Sequence, residues 1–303
     1  MSADGRRPRP RERADVRLIR CGFQWWPFRR GKGLLLRLVR PWLDRRRHFV
    51  FEIEPGIVLQ SNFDDRILYW AFVDGRSGWD PIMDLSRALI GTGDVVFDVG
   101  ANVGVWLLGA ARCAGETGSV HAFEPVPKNL ARLRTHLSLN ALDFVRVDPR
   151  VLSSEPGEVP FFPSRSSNTG MGSLGRHHRA AESVRVRATT LDLYCQEHGI
   201  GRVDFLKVDV EGAELLVFRG GARLLAASNA PAIMFEADDS LAAALSSSTA
   251  ATKEFLKYCG YRTFHFTGTR LEPIASSATH TNHDLLALKP YHFERHQLLR
   301  RYV

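Results

Sequence analysis

A short run with little polar alternation, Val95-Val-Phe-Asp-Val99, leads directly into a glycine-punctuated turn, Gly100-Ala-Asn-Val-Gly104, and then into a helical stretch over residues 105–113. Such a strand belongs in a sheet covered on both faces. A glycine turn joining it to a helix opens a parallel α/β unit. The chain downstream keeps this rhythm. Strands are predicted at 119–123, 144–152, 203–208, 232–235, 261–266 and 284–288. Helices are predicted at 127–140, 190–198, 213–225 and 250–259, the first from Leu130, Leu133 and Leu137 on one helical face. Residues 157–162 and 183–187 read as an antiparallel pair, and the span between them is polar and rich in Gly and Ser. Connections of that length are functional or mobile. The fold expected is α/β and Rossmann-like, with a mainly parallel sheet and helices on both faces.

Upstream, residues 48–73 alternate apolar and polar side chains in part, with Pro55-Gly56 as a hairpin turn. A helix over 81–90 follows, stopped by Gly91-Thr-Gly93. The expected organisation is a basic segment over 1–48 and one domain over 49–303. Within that domain, 49–93 form a hairpin and helix extension and 94–290 the Rossmann-like core.

The net charge of +8 is concentrated at one end. Residues 1–48 hold 15 Lys/Arg against 4 Asp/Glu, so the remainder is slightly acidic. Nucleic acid is therefore not an expected partner, because the basic character lies outside the enzyme-like body. Residues 1–20 read as disordered, being rich in Arg and Pro. Leucines, tryptophans and arginines interleave over 23–42. That pattern fits a helix packed on the domain with solvated arginines. It also fits a basic amphipathic helix on a membrane, which would place peripheral membrane contact in residues 17–48. The N-terminal residues lack the apolar core of a signal peptide, and no run reaches the ~18 apolar residues of a spanning helix. Cys21, Cys113, Cys195 and Cys259 are widely spaced and read as reduced thiols, consistent with a cytoplasmic location.

The turn after the first core strand sits where open α/β sheets bind ligands. A dinucleotide fingerprint would have glycine where Asn102 stands. Asp98 sets a carboxylate beside the turn, and Glu124 ends the next strand in position to accept hydrogen bonds from ribose hydroxyls. Carboxylates repel a diphosphate and attract a cation. The ligand expected from the residues is thus S-adenosylmethionine, which carries a sulfonium and an ammonium but no phosphate.

Three runs together resemble the FkbM family of methyltransferases: Asp98-Val-Gly-Ala-Asn-Val-Gly104, Ala122-Phe-Glu-Pro-Val-Pro127, and Leu206-Lys-Val-Asp-Val-Glu-Gly212 with Glu214. Asn168-x-Gly170 with Gly172-Ser-Leu174, Thr190-Leu-Asp192 and Gly220-Gly-Ala222 fit the same pattern. The resemblance implies a class I methyltransferase fold with a seven-stranded sheet. It also implies methyl transfer to a hydroxyl of a sugar, glycan or natural-product acceptor. By that similarity Asp98, Gly100, Ala101, Asn102 and Gly104 would line the methionine end, Glu124 and Pro125 would hold the ribose, and Val151 and Leu152 would lie near the adenine.

Methyl transfer needs a positioned acceptor and somewhere for its proton to go. Lys207, Asp209 and Glu211 alternate at a strand end, which puts them on one face if the strand persists. Glu236 ends the neighbouring strand. This set is expected to hold the general base. Its oxygens are also of the type that hold a divalent metal, although no resident metal is expected. Rival readings are His177-His178 as a base in the central loop, and Asn168 and Ser173 as acceptor ligands. His265 and His283 are expected in the core. Two other functions remain open at this level: an NAD-linked oxidoreductase, and a non-catalytic module using the basic segment on membrane or nucleic acid.

Overall fold

The computed structural model describes residues 12–26, 31–45, 49–61, 65–75, 81–164, 170–176, 181–281 and 283–303. Two helices, α1 (Ala14–Gln24) and α2 (Lys32–Asp44), precede a hairpin of β1 (Val50–Glu54) and β2 (Ile57–Gln60). Then come α3 (Arg66–Val73) and α4 (Pro81–Ala88). The core follows with β3 (Val95–Val99), α5 (Val105–Ala114), β4 (Ser119–Phe123), α6 (Pro127–Leu139) and β5 (Arg146–Asp148). A side sheet is formed from β6 (Val151–Leu152), β7 (Gly157–Phe161) and β8 (Val184–Thr189). The chain returns through α7 (Leu191–Glu197), β9 (Phe205–Val208), α8 (Glu214–Arg219), α9 (Ala222–Ala226), β10 (Ala232–Ala237), α10 (Asp239–Ala242) and α11 (Thr249–Tyr258). It finishes with β11 (Arg262–Phe266), β12 (Leu271–Pro273), β13 (His283–Leu288) and α12 (Pro290–Arg295).

The main sheet runs β12-β11-β13-β10-β9-β3-β4-β5. The five strands from β10 to β5 are mutually parallel, and β13, β11 and β12 add antiparallel partners. The expected α/β architecture is present. The sheet has eight strands where seven were expected, because the three-residue β12 folds back on β11 at the edge. Alternate residues of each strand feed different cores. Val96, Ala122, Phe205, Met234 and Leu286 pack with α4, α5 and α6, whereas Phe97, Phe123, Leu206, Phe235 and Leu285 pack with α7, α8 and α11. Strand β3 has β4 on one side and β9 on the other, so the strand order reverses beside it. The crevice above such a reversal is where these sheets take ligands.

Four expectations need correction. The strand predicted over 144–152 breaks after Asp148. Pro149 has no N–H for a ladder, the Arg150 N–H donates to Asp148 Oδ1 at 2.8 Å, and Val151–Leu152 joins the side sheet through β8. The single helix predicted over 213–225 is two helices. A Cβ on Gly220 would lie 2.0 Å from the Ser153 carbonyl oxygen, and the second helix is capped by Asp192, which accepts from the Arg223 and Leu224 N–H groups at 2.9 Å each. Residues 14–20, read as disordered, belong to α1. Val16 and Phe23, seven apart, are buried, and Arg20 is clamped by both oxygens of Glu12 at 2.7 Å. The β-rich reading of 48–73 misses α3, whose N-cap Asp65 accepts from the Ile67 N–H at 3.0 Å.

Among the described residues, no helix is long and apolar enough to cross a membrane. All four cysteines are free thiols.

Candidate active site

The turn after β3 is shaped by its neighbours. Gly100 has φ 83°, and a Cβ there would sit 1.8 Å from the Asp209 carbonyl oxygen. Gly100→Ala is therefore expected to force β3 and β9 apart, costing more than about 3 kcal/mol. Thermal unfolding and donor binding of the purified variant check this; a wild-type midpoint would contradict it. Asn102 is a left-handed non-glycine residue, φ 50°. Its N–H donates to Glu124 Oε2 at 2.9 Å, while Glu124 Oε1 accepts from the Val126 N–H at 2.8 Å. Glu124, at the end of β4 and 4% exposed, thus fixes both its own strand end and the glycine turn.

A pocket of about 790 Å³ opens over these residues. Gly100, Asn102, Glu124, Pro125, Val151, Leu152, Asp209 and Glu211 all line it. Phe161, which no sequence motif marks, and Leu174 of the central loop add apolar wall. Arg150 also lines the pocket, but its guanidinium is paired with Asp148 and Glu197, both at 2.9 Å. Among the described residues, three acids face the space, and the one cation that lines it is paired within the protein.

Asp98 and Ala101 do not line this pocket. They border an adjoining cavity with Lys207, Asp284, Met83 and Trp106. Asp98 is 1% exposed and lies 3.4 Å from Lys207, which also contacts Asp209 at 3.0 Å. Asp98, expected to line the methionine end, is placed beside this adjoining cavity, with its Oδ1 facing Lys207. Gly104 lines neither cavity. It precedes α5 with φ 89°, and a Cβ there would meet Leu133 at 2.6 Å, so its need for glycine is one of packing.

The acids beyond β9 converge by a route the sequence did not show. Strand β9 ends at Val208, so period-two alternation does not carry Asp209 and Glu211 to one face. The turn does so instead. Glu211 is left-handed at φ 54° and Gly212 follows at φ 96°. Glu214 clamps the turn, its Oε1 accepting from the Val210 and Gly212 N–H groups at 3.2 Å each. Ser173 donates its hydroxyl to the Glu211 carbonyl at 2.6 Å. The spacing of Glu214, three after Glu211, is the sequence signal for this clamp. Carboxylate oxygens of Asp209, Glu211 and Glu236 lie within 4.8 Å of one another. Glu236 Oε2 is buried with no hydrogen-bond partner.

Ser173 is 2% exposed and its hydroxyl is donated to the Glu211 carbonyl across the pocket wall, so it does not present that proton to an acceptor. Asn168 and His177-His178 lie outside the described residues. His265 is half-buried and His283 exposed, their rings 5.7 Å apart, rather than in the core as expected.

Burial governs the electrostatics. It pushes the Glu124 carboxyl up to about 7 despite its backbone hydrogen bonds, and Glu214 likewise to about 7. Burial and the neighbouring Asp209 and Glu214 push Glu211 up to about 8. Glu236 is raised well above the carboxylate range by burial, Asp209 and Glu211. Burial opposes charge on Lys207, but Asp209 and Asp98 outweigh it and hold the ammonium above its ordinary value.

An acid whose folded pKa is raised holds a proton in the native state that the unfolded chain has released. Stability is then greatest below the unfolded value and is lost as pH climbs through the folded one. Glu124 and Glu214 each cost up to roughly 3 kcal/mol once both states are ionised. Between pH 5 and 8 the midpoint of the ligand-free protein is expected to fall by on the order of 10 °C. Scanning calorimetry across that window checks this, and Glu124→Gln should flatten the slope. A rising profile would contradict it.

A doubly covered parallel sheet, a glycine turn at its strand reversal and an acidic pocket over that turn together define a Rossmann-like nucleotide-pocket fold of the methyltransferase type. Residues 98–263 match the family profile described as the Methyltransferase FkbM domain, and the chain belongs to that family. It is similar to the 31-O-demethyl-FK506 methyltransferase FkbM of Streptomyces tacrolimicus, with 30% identity covering 42% of this chain and 59% of that one. It is also similar to the hexuronic acid methyltransferase AglP of Haloferax volcanii, with 33% identity covering 45% and 53%. The chain spans about half the length of the curated relatives it matches. Among solved structures, a SAM-dependent O-methyltransferase from Thermotoga maritima is similar at TM-score 0.40 and 14% identity, covering 77% of this chain and 72% of that one.

Proposed function

We propose that this chain transfers a methyl group from S-adenosylmethionine to a hydroxyl oxygen of a sugar, glycan or natural-product acceptor. The observation that carries the reading is the pocket over Gly100 and Asn102, lined by Glu124, Asp209 and Glu211, in which the one lining cation among the described residues, Arg150, is already paired. Such a lining suits a cation and a diol and opposes a diphosphate, which disfavours an NAD-linked oxidoreductase. The relatives named as a 31-O-demethyl-FK506 methyltransferase and a hexuronic acid methyltransferase support the acceptor class.

When bound, S-adenosylmethionine would supply an activated methyl group for the acceptor hydroxyl. The protein contributes position and proton handling. Glu124 accepts from the Asn102 and Val126 N–H groups and from Asn129, and its remaining lone pairs suit a vicinal diol. Val151, Leu152 and Phe161 give an apolar wall suited to a flat base. The acid group at the other end of the pocket meets the acceptor. Glu211, held near 8, is matched to take the hydroxyl proton at neutral to mildly alkaline pH. Asp209 is held by Lys207 and helps fix the site, and Glu236 stands beside both acids with an oxygen within 4.8 Å of theirs.

The same three carboxylates allow a second reading, a divalent cation that binds the acceptor oxygen, supported by the convergence of their oxygens within 4.8 Å. The test is a labelled-methyl assay against pools of hydroxylated sugars and polyketides, with mass analysis of the product, run before and after exhaustive chelation. Labelled product that survives chelation supports the acids as proton acceptors. Loss restored by magnesium assigns them to a cation. Absence of labelled product from every pool counts against the proposed reaction.

A further inference from the structure

The two N-terminal helices are docked on the fold by one face and leave a second apolar face in solvent. Val16 and Phe23 of α1, and Leu36 and Leu43 of α2, are buried in the main core. Lys32 ties the start of α2 to Asp74 at 2.8 Å, just beyond α3. The opposite faces expose Leu18 (75%), Trp25 (86%), Leu34 (66%) and Leu38 (72%). Of the nine large apolar side chains exposed among the described residues, five lie between Leu18 and Leu38. A helix that has already buried its core stripe normally offers polar residues on the other side. These helices therefore carry apolar surface that folding of this chain does not use.

The charge beside that surface selects its partner. Exposed Arg17 adjoins Leu18, and exposed Arg37 adjoins Leu38, with Arg45 exposed at the end of α2. Arg29, Arg30, Arg46 and Arg47 neighbour the helices in the sequence. The acids of α1 do not cancel this charge, because Asp15 is taken by Arg13 at 3.2 Å. A second copy of the chain laid on this face would set arginines against arginines. A layer of anionic headgroups over acyl chains answers both features, since arginines sit at the phosphate level and leucine and tryptophan enter the boundary beneath.

We infer that the outward face of α1 and α2 docks on a membrane surface rich in anionic lipid. The surface is independent of the pocket, so it stands or falls apart from the reaction proposed above. Docking would hold the pocket beside a bilayer while the sheet remains in water.

The test is co-sedimentation of the full chain with vesicles of phosphatidylcholine and phosphatidylglycerol at three to one, and with phosphatidylcholine alone. The wild type is expected to partition at least about tenfold more strongly into the anionic vesicles. Leu34→Glu with Leu38→Glu, and separately Arg17→Glu with Arg37→Glu, should each reduce that partition by about tenfold or more. All four positions are exposed, so both variants should keep the wild-type unfolding midpoint. Equal binding to both vesicle types, no binding, or unchanged binding by the variants would overturn the proposal. So would a dimer in solution that the leucine variant dissolves in the absence of any vesicle binding.

Discussion

Glu124→Gln is expected to weaken S-adenosylmethionine binding about a hundredfold, roughly 3 kcal/mol. The carboxylate carries two tasks that an amide cannot share. One oxygen of the amide becomes an NH2 group facing a backbone N–H, either that of Asn102 or that of Val126. The remaining oxygen has lost the negative charge that strengthens a bond to a ribose hydroxyl. Charge-assisted hydrogen bonds are worth about 1.5–3 kcal/mol each, and a buried donor left facing a donor adds to the loss. The variant should still fold, because the amide keeps the shape of the side chain and relieves the burial that raises the acid. Calorimetric titration gives the affinity and circular dichroism the fold. Unchanged affinity in a folded Glu124→Gln protein would remove Glu124 from the donor site.

Glu211→Gln is expected to lower kcat by about 10²–10⁴ while leaving donor affinity within a few-fold. Glu211 must be ionised to accept a proton, so wild-type kcat should climb as pH rises through about 8, and that limb should vanish in the variant. The conservative change leaves the left-handed turn in place, since the Glu214 clamp and the Ser173 hydrogen bond engage backbone atoms. Asp209→Asn is a poorer probe. It strips a partner from the buried Lys207, which costs stability as well as rate. A Glu211→Gln enzyme with wild-type kcat and an intact pH limb would place the base elsewhere.

The two outcomes divide the pocket. Loss of donor binding with Glu124 belongs to the end of β4, and loss of turnover with Glu211 belongs to the turn after β9. Strand β3 lies between them, with Gly100 touching the backbone of Asp209. The close approach explains how two turns more than a hundred residues apart in sequence share one pocket.

The sequence showed the core where local signals agree. Val95–Val99, its glycine turn and α5 were legible because apolar run, turn chemistry and helix pattern all point one way. It misled where a tertiary contact overrides a local pattern. The apolar residues over 144–152 look like one strand, yet Pro149 and the Asp148 turn send them into two sheets. Helix α1 was hidden because its stability comes from a few buried contacts and the Arg20–Glu12 pair, in a segment whose composition is mostly charged. At the site, residue types were legible and their directions were not. Asp98 carries the right charge for the proposed donor but turns to Lys207. Asp209 and Glu211 do meet, through a left-handed residue that no alternation rule contains. Arg150 lines the pocket as an ion pair with Asp148 and Glu197, a pairing that no local pattern shows.

On the proposed reading, this pocket is shaped for a sulfonium donor rather than a diphosphate cofactor. Titrating the same protein with S-adenosylmethionine and with NADH measures it directly. Saturable binding of the first at micromolar concentration, with no heat from the second, is the expected result. Saturable NADH binding that competes with S-adenosylmethionine, or no binding of the sulfonium by folded protein, would contradict it.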